Sequence, residues 1–135
     1  EGTVSGENVY VVGKDESSVL PNTHTVLYLP NFDLREAGIY EFSFYGKFDL
    51  DTGTDGFRVE YSKDGGQSWE ILGNGVTQNW YNTFNGVLVN GAFPLNTYFF
   101  SKRVSQWTQF KLNISNLSGD SFVAFRFVCK ADDVG

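Results

Sequence analysis

Residues 56–73 read GFRVEYSKDGGQSWEILG, two extended runs joined by a glycine turn. In the first run Phe57, Val59 and Tyr61 alternate with Arg58, Glu60 and Ser62, the period of a half-buried strand. After the turn, WEIL resumes an apolar-rich extended pattern. Between them the Asp64 side chain can accept backbone N–H groups, and Gly65 and Gly66 can take positive φ. Trp69 is expected to fold back over this hairpin and cover it. So fully specified a turn commits the stretch to antiparallel pairing, and through it the chain to β structure.

The rest of the chain agrees. Its aromatic share is large, with 13 Phe, 7 Tyr and 3 Trp, and 15 glycines punctuate short strand-like runs. Candidate strands cover 8–13, 23–33, 38–50, 56–62, 69–73, a weak run at 86–93, 107–114 and 121–130. DLREAG at 33–38 reads as a single helical turn ended by Gly38, and no other helix is expected. These lengths and spacings predict an all-β fold, an antiparallel two-sheet β-sandwich of the jelly-roll kind. Residues 1–135 read as one such module of a larger secreted protein, since 135 residues suit a single core. Shared period-two phase places Tyr40, Phe42, Phe44, Phe57, Val59, Tyr61, Phe110, Leu112, Phe125 and Phe127 in that core.

Residues 62–69, SKDGGQSW, resemble the Asp-box turn of sialidase propeller blades. A propeller needs the motif once per blade, and here it occurs once. The box is therefore read as a turn and not as part of a hydrolase. A wider likeness runs from LYLPNFDLREAGIYEFSFYGKFDLDTGTDGFRVEYSKDGGQSWEILG to LSGDSFVAFRFV, roughly residues 26–130. It resembles the MAM-like jelly-roll modules of secreted and surface multidomain bacterial proteins of the Bacteroidetes type. That resemblance implies a secreted or cell-surface location, contact with other domains of a parent protein, and a role like that of carbohydrate-binding modules. It also implies that the sequons at Asn113 and Asn116 are unused.

The formal net charge of −6 disfavours nucleic acid and anionic membrane as partners, since both need a basic face. One His and one Cys support neither a Ser-His-Asp triad nor a thiolate-His pair. His24 reads as a surface residue. Cys129 alternates in phase with Val123, Phe125 and Phe127, and reads as a small buried apolar residue. Glu41 and Glu60 could approach across a strand pair as a glycosidase's carboxylates do, but a solvated sheet face is the plainer account. The domain is accordingly expected to be non-catalytic.

Binding residues are sought among exposed aromatics beside amides and charges. The long irregular stretch 74–106 supplies Trp80, Tyr81, Asn82 and Tyr98. Parity adds Trp107 and Lys111 on the polar phase of their strand, and Arg126 between Phe125 and Phe127. Together they are the expected surface for a polysaccharide or other glycan. The competing reading is an adhesion or spacer domain that makes protein contacts and has no sugar site. DLDTGTDG offers Asp49, Asp51 and Asp55 as candidate ligands of a structural Ca2+, and Asp132 and Asp133 form a second acidic spot.

Overall fold

A computed structural model describes residues 24–76, 79–88 and 91–131. Its elements are β1 (His24–Tyr28), β2 (Glu41–Asp49), β3 (Gly56–Ser62), β4 (Glu70–Ile71), β5 (Thr83–Asn85), β6 (Thr97–Phe99), β7 (Arg103–Asn113) and β8 (Ala124–Lys130), with one 3-10 turn at Ser115–Leu117. The fold is all-β and antiparallel. One sheet has the order β1-β8-β3-β4, and β2 pairs with β7 in a second.

The two sheets face each other through rings. Phe42 and Phe44 from β2 meet Phe125 at 5.0 Å and Phe127 at 5.1 Å from β8, while Phe44 stacks on Phe110 at 5.3 Å. Every residue expected in the core belongs to this cluster, either buried or packed against it. Alternation explains the result, because each strand sends its even or odd positions inward as a set. Between Gly46 and Phe48 the β2–β7 register shifts: Gly46 faces Thr108 while Phe48 faces Val104. Trp107 lies in that bulge.

The β4–β7 connection is no appendage. β5 and β6 form a hairpin of their own, and Phe100 then bridges Phe57 with two backbone hydrogen bonds of 3.0 and 2.7 Å. Phe100 enters the core between the sheets. Phe99 joins Phe93, Val128 and Val26 on the other face of the four-stranded sheet, where a second small cluster forms. Gly56 makes room for it: a Cβ there would stand 2.5 Å from Phe99 Cδ2.

Some expected elements differ. The strand anticipated at 8–13 and the acidic pair Asp132 and Asp133 lie outside the described residues. No helical turn forms at 33–38, where the Asp33 carboxylate instead takes the Arg35 N–H at 3.0 Å. A short acidic side chain offers the backbone an alternative to the helix bond. No strand is assigned among the described residues of 86–93, and β5 and β6 flank that run.

Candidate functional site

The outer face of the four-stranded sheet carries a groove at the β1-β8-β3 end. On β8 and its approach, Val123, Phe125 and Phe127 point into the core, so Phe122, Ala124 and Arg126 take the opposite face. Across the strands, Tyr28 stands opposite Arg126, and Arg126 opposite Glu60. The groove encloses about 580 Å3 and is lined by Tyr28, Leu29, Asn31, Gly65, Gly66, Trp69, Phe122, Ala124 and Arg126. Tyr28 is 62% exposed and Phe122 52% exposed. Ala124, between Phe122 and Arg126, is the small residue that leaves the space open.

Trp69 reaches the groove because of the glycine turn. The Asp64 carboxylate accepts hydrogen bonds from the Ser62 hydroxyl at 2.7 Å, the Ser68 N–H at 2.9 Å and the Ser68 hydroxyl. These bonds, those of Ser68 and Ser62 foremost, hold its carboxyl far below the usual range. Gly65 and Gly66 take φ of 77° and 91°, a conformation only glycine adopts freely. The indole N–H of Trp69 then donates to the Gly66 carbonyl at 3.0 Å. So anchored, the indole stands edge-on to Tyr28, ring centres 6.0 Å apart.

Arg126 completes the site. Its guanidinium carbon lies 4.2 Å from the Trp69 ring centre and 5.9 Å from that of Tyr28. Its Nε and Nη2 bond Glu60 Oε1 at 2.8 and 2.6 Å, while Arg58 bonds the other oxygen, Oε2, at 2.8 Å. Burial opposes ionisation of Glu60, but the hydrogen bonds and charges of Arg126 and Arg58 outweigh it, and the carboxyl sits below its ordinary value. The guanidinium is thereby fixed in position, where a free arginine would sample many rotamers. Among the lining residues there is no carboxylate, imidazole or thiol.

Of the expected glycan-binding residues only Arg126 lies in this groove. Trp80 and Tyr81 must be corrected: they are 2% and 0% exposed and belong to the core. Their polar tips find backbone partners inside, which lets amphipathic rings be buried. The Trp80 N–H donates to the Leu72 carbonyl at 3.1 Å, and the Tyr81 hydroxyl donates to the Val59 carbonyl at 3.1 Å while accepting the Val59 N–H at 3.2 Å. Asn82 is committed too, since its amide bonds both the N–H and the carbonyl of Ser101 at 2.8 Å. Tyr98 is half-buried against Phe84, ring centres 4.8 Å apart. Trp107 and Lys111 are exposed as parity predicts, but on the β2–β7 sheet, which contributes nothing to the groove's lining.

The other candidates also separate. Glu41 is on β2 and Glu60 on β3, in different sheets, so the two carboxylates do not meet across a strand pair, the less plain of the two readings of them. Nor is Glu60 solvated, being buried between two arginines. Asp55 is buried and its Oδ2 accepts the Asp51 N–H at 3.3 Å, closing the 51–55 turn, whereas Asp49 and Asp51 are exposed. Among the described residues no three His, Cys, Asp or Glu side chains come together as a metal ion would need. Burial pushes the Cys129 thiol up to about 11, and His24 is exposed.

Tyr28, Asn31, Trp69 and Phe122 are the groove residues that sequence reasoning missed. Phe122 and Tyr28 had a signal: each falls on the phase opposite its core neighbour, as Arg126 does. Comparison with protein-family models, with curated proteins and with solved structures finds no match. The reading of function therefore rests on the groove's own chemistry.

Proposed function

We propose that this domain is a non-catalytic glycan-binding module and that the Tyr28–Trp69–Phe122 groove is its site. One observation carries the reading: three partly exposed aromatic rings and a fixed guanidinium line a single open groove. Sugar rings present apolar C–H faces to aromatic surfaces and hydroxyls to amide and guanidinium donors, and Trp69, Asn31 and Arg126 supply both kinds of contact. The lack of an acid, base or nucleophile in the lining favours binding over bond cleavage. In keeping with the resemblance to MAM-like modules, the parent protein would be secreted or displayed on a bacterial surface.

A second reading has its own observation. Phe84, Val87, Leu88 and Leu95 leave large apolar side chains exposed around the β5–β6 hairpin, a surface that suits an adhesion or spacer domain contacting protein. Affinity electrophoresis through gels containing different polysaccharides separates the two. Retardation that disappears in Trp69→Ala but persists in Leu88→Ser supports the groove. Migration unaffected by every polysaccharide would remove the glycan reading and leave the adhesion reading in its place.

A further inference from the structure

Two guanidiniums share one carboxylate beneath the groove. Arg58 and Arg126 both bond Glu60, and arginine stays charged at any relevant pH, so the three side chains carry one net positive charge. They carry it in a sheltered place, with Arg58 and Arg126 side chains 19% and 21% exposed. Arg58 lies over the Phe93 ring at 4.7 Å and is not in the groove lining. The surplus charge is therefore presented to the groove through Arg126 alone.

Arg126 also has a donor to spare. Glu60 takes its Nε and Nη2, and Nη1 makes no hydrogen bond among the described residues. Of the other charges near the groove, Lys63 faces Asp120 at 3.9 Å and Asp33 binds Arg35 at 2.7 Å. Asp64 keeps its negative charge, turned into its own hairpin by hydrogen bonds from the Ser62 and Ser68 hydroxyls.

Resting on the glycan-binding reading above, we propose that the ligand is an acidic polysaccharide, with a uronate carboxylate received by Arg126 while its sugar ring lies against Trp69. A carboxylate adds to the guanidinium's hydrogen bonds an attraction between opposite charges that a neutral hydroxymethyl group lacks, so the groove discriminates in favour of a carboxylate at that position. The net charge of −6 opposes a polyanion at long range. At physiological ionic strength that repulsion is screened beyond about 8 Å, whereas the contact at Arg126 is direct.

The test varies the ligand before the protein. Polygalacturonate, alginate and hyaluronan are each titrated against the whole domain beside the same polymer after carboxyl reduction to the neutral sugar. At least one polyuronate should bind, and its reduced counterpart should bind at least tenfold more weakly. Arg126→Gln should show the same loss on the intact polyuronate and should abolish the preference for it over its reduced counterpart. Should that variant fail to fold, the comparison of intact and reduced polymer on the wild-type chain decides alone. Equal binding of both forms, or binding of neutral polysaccharides only, overturns the acidic ligand and leaves the glycan module standing. Failure of every polymer, acidic and neutral, overturns both.

Discussion

The indole N–H of Trp80 donates to the carbonyl of Leu72 across 3.1 Å, in the middle of the sandwich. The ring around that bond packs edge-on to Phe42 at 6.0 Å, Phe44 at 5.8 Å and Phe100 at 5.3 Å. Trp80→Ala should cost about 3–5 kcal/mol, as large-to-small changes of buried aromatics do. Trp80→Phe should cost less, near the roughly 1–3 kcal/mol of a buried carbonyl left without its donor. Urea denaturation of both variants checks the order. A Trp80→Ala variant as stable as the wild type would contradict the burial described here.

Trp69 and Trp107 should part company in binding. Stacking by one exposed aromatic contributes on the order of 1–2 kcal/mol, so Trp69→Ala should weaken glycan affinity by roughly 5- to 30-fold. Phe122→Ala should act in the same direction. Trp107→Ala, on the bulge of β7 in the other sheet, should leave affinity unchanged. Isothermal titration against whichever polysaccharide retards the wild type gives all three values, and a loss confined to Trp107→Ala would move the site to the β2–β7 face.

Acid should loosen the Arg58–Glu60–Arg126 set. The Glu60 carboxyl is held below its ordinary value of 4.5 in the folded chain. The unfolded chain therefore binds its proton first as pH falls, and stability is lost on the acid side. The contribution is fully present above about 4.5 and declines as pH drops from there through the folded value. Urea midpoints measured from pH 6 down to pH 2.5 should fall in that window. In Glu60→Gln the fall should be shallower, because the remaining carboxylates alone would drive it.

Gly56 should not tolerate a side chain. A Cβ there would meet Phe99 Cδ2 at 2.5 Å and the Phe100 carbonyl at 2.8 Å, neither of which can retreat from a packed layer. Gly56→Ala should lower stability by about 1–3 kcal/mol through overpacking. Thermal unfolding measures it. Gly65→Ala, where nothing lies within 4 Å but φ is 77°, isolates the backbone effect alone.

Much of the fold was legible because two-residue periodicity survives in long strands. β3 spans Gly56–Ser62 as the alternation predicts, and the parity of Phe125 and Phe127 against Arg126 holds. β5 and β6, of three residues each, are too short to show a period. The site was harder to read, for a physical reason. Trp80 and Tyr81 stand among amides in QNWYN, a composition typical of wet surfaces. What buries them is a set of backbone carbonyls and amides on β3 and just beyond β4, and no local pattern reveals such partners. Trp69 was recognisable as the cover of its hairpin. Its second surface, toward Arg126 and Tyr28, exists only once β8 and β1 are paired alongside.

The double attachment of Phe99 and Phe100 bears on how this domain can vary. Adjacent rings on opposite faces of one sheet rivet the irregular stretch between β4 and β7 into both layers at once. Such a stretch cannot be trimmed like an ordinary surface connection. Its tolerance for insertion or circular permutation should lie toward the exposed tip around Val87, and should vanish at residues 97–101. What resembles an ornament between β4 and β7 is a keystone at its base, and only its tip is left free to vary in length.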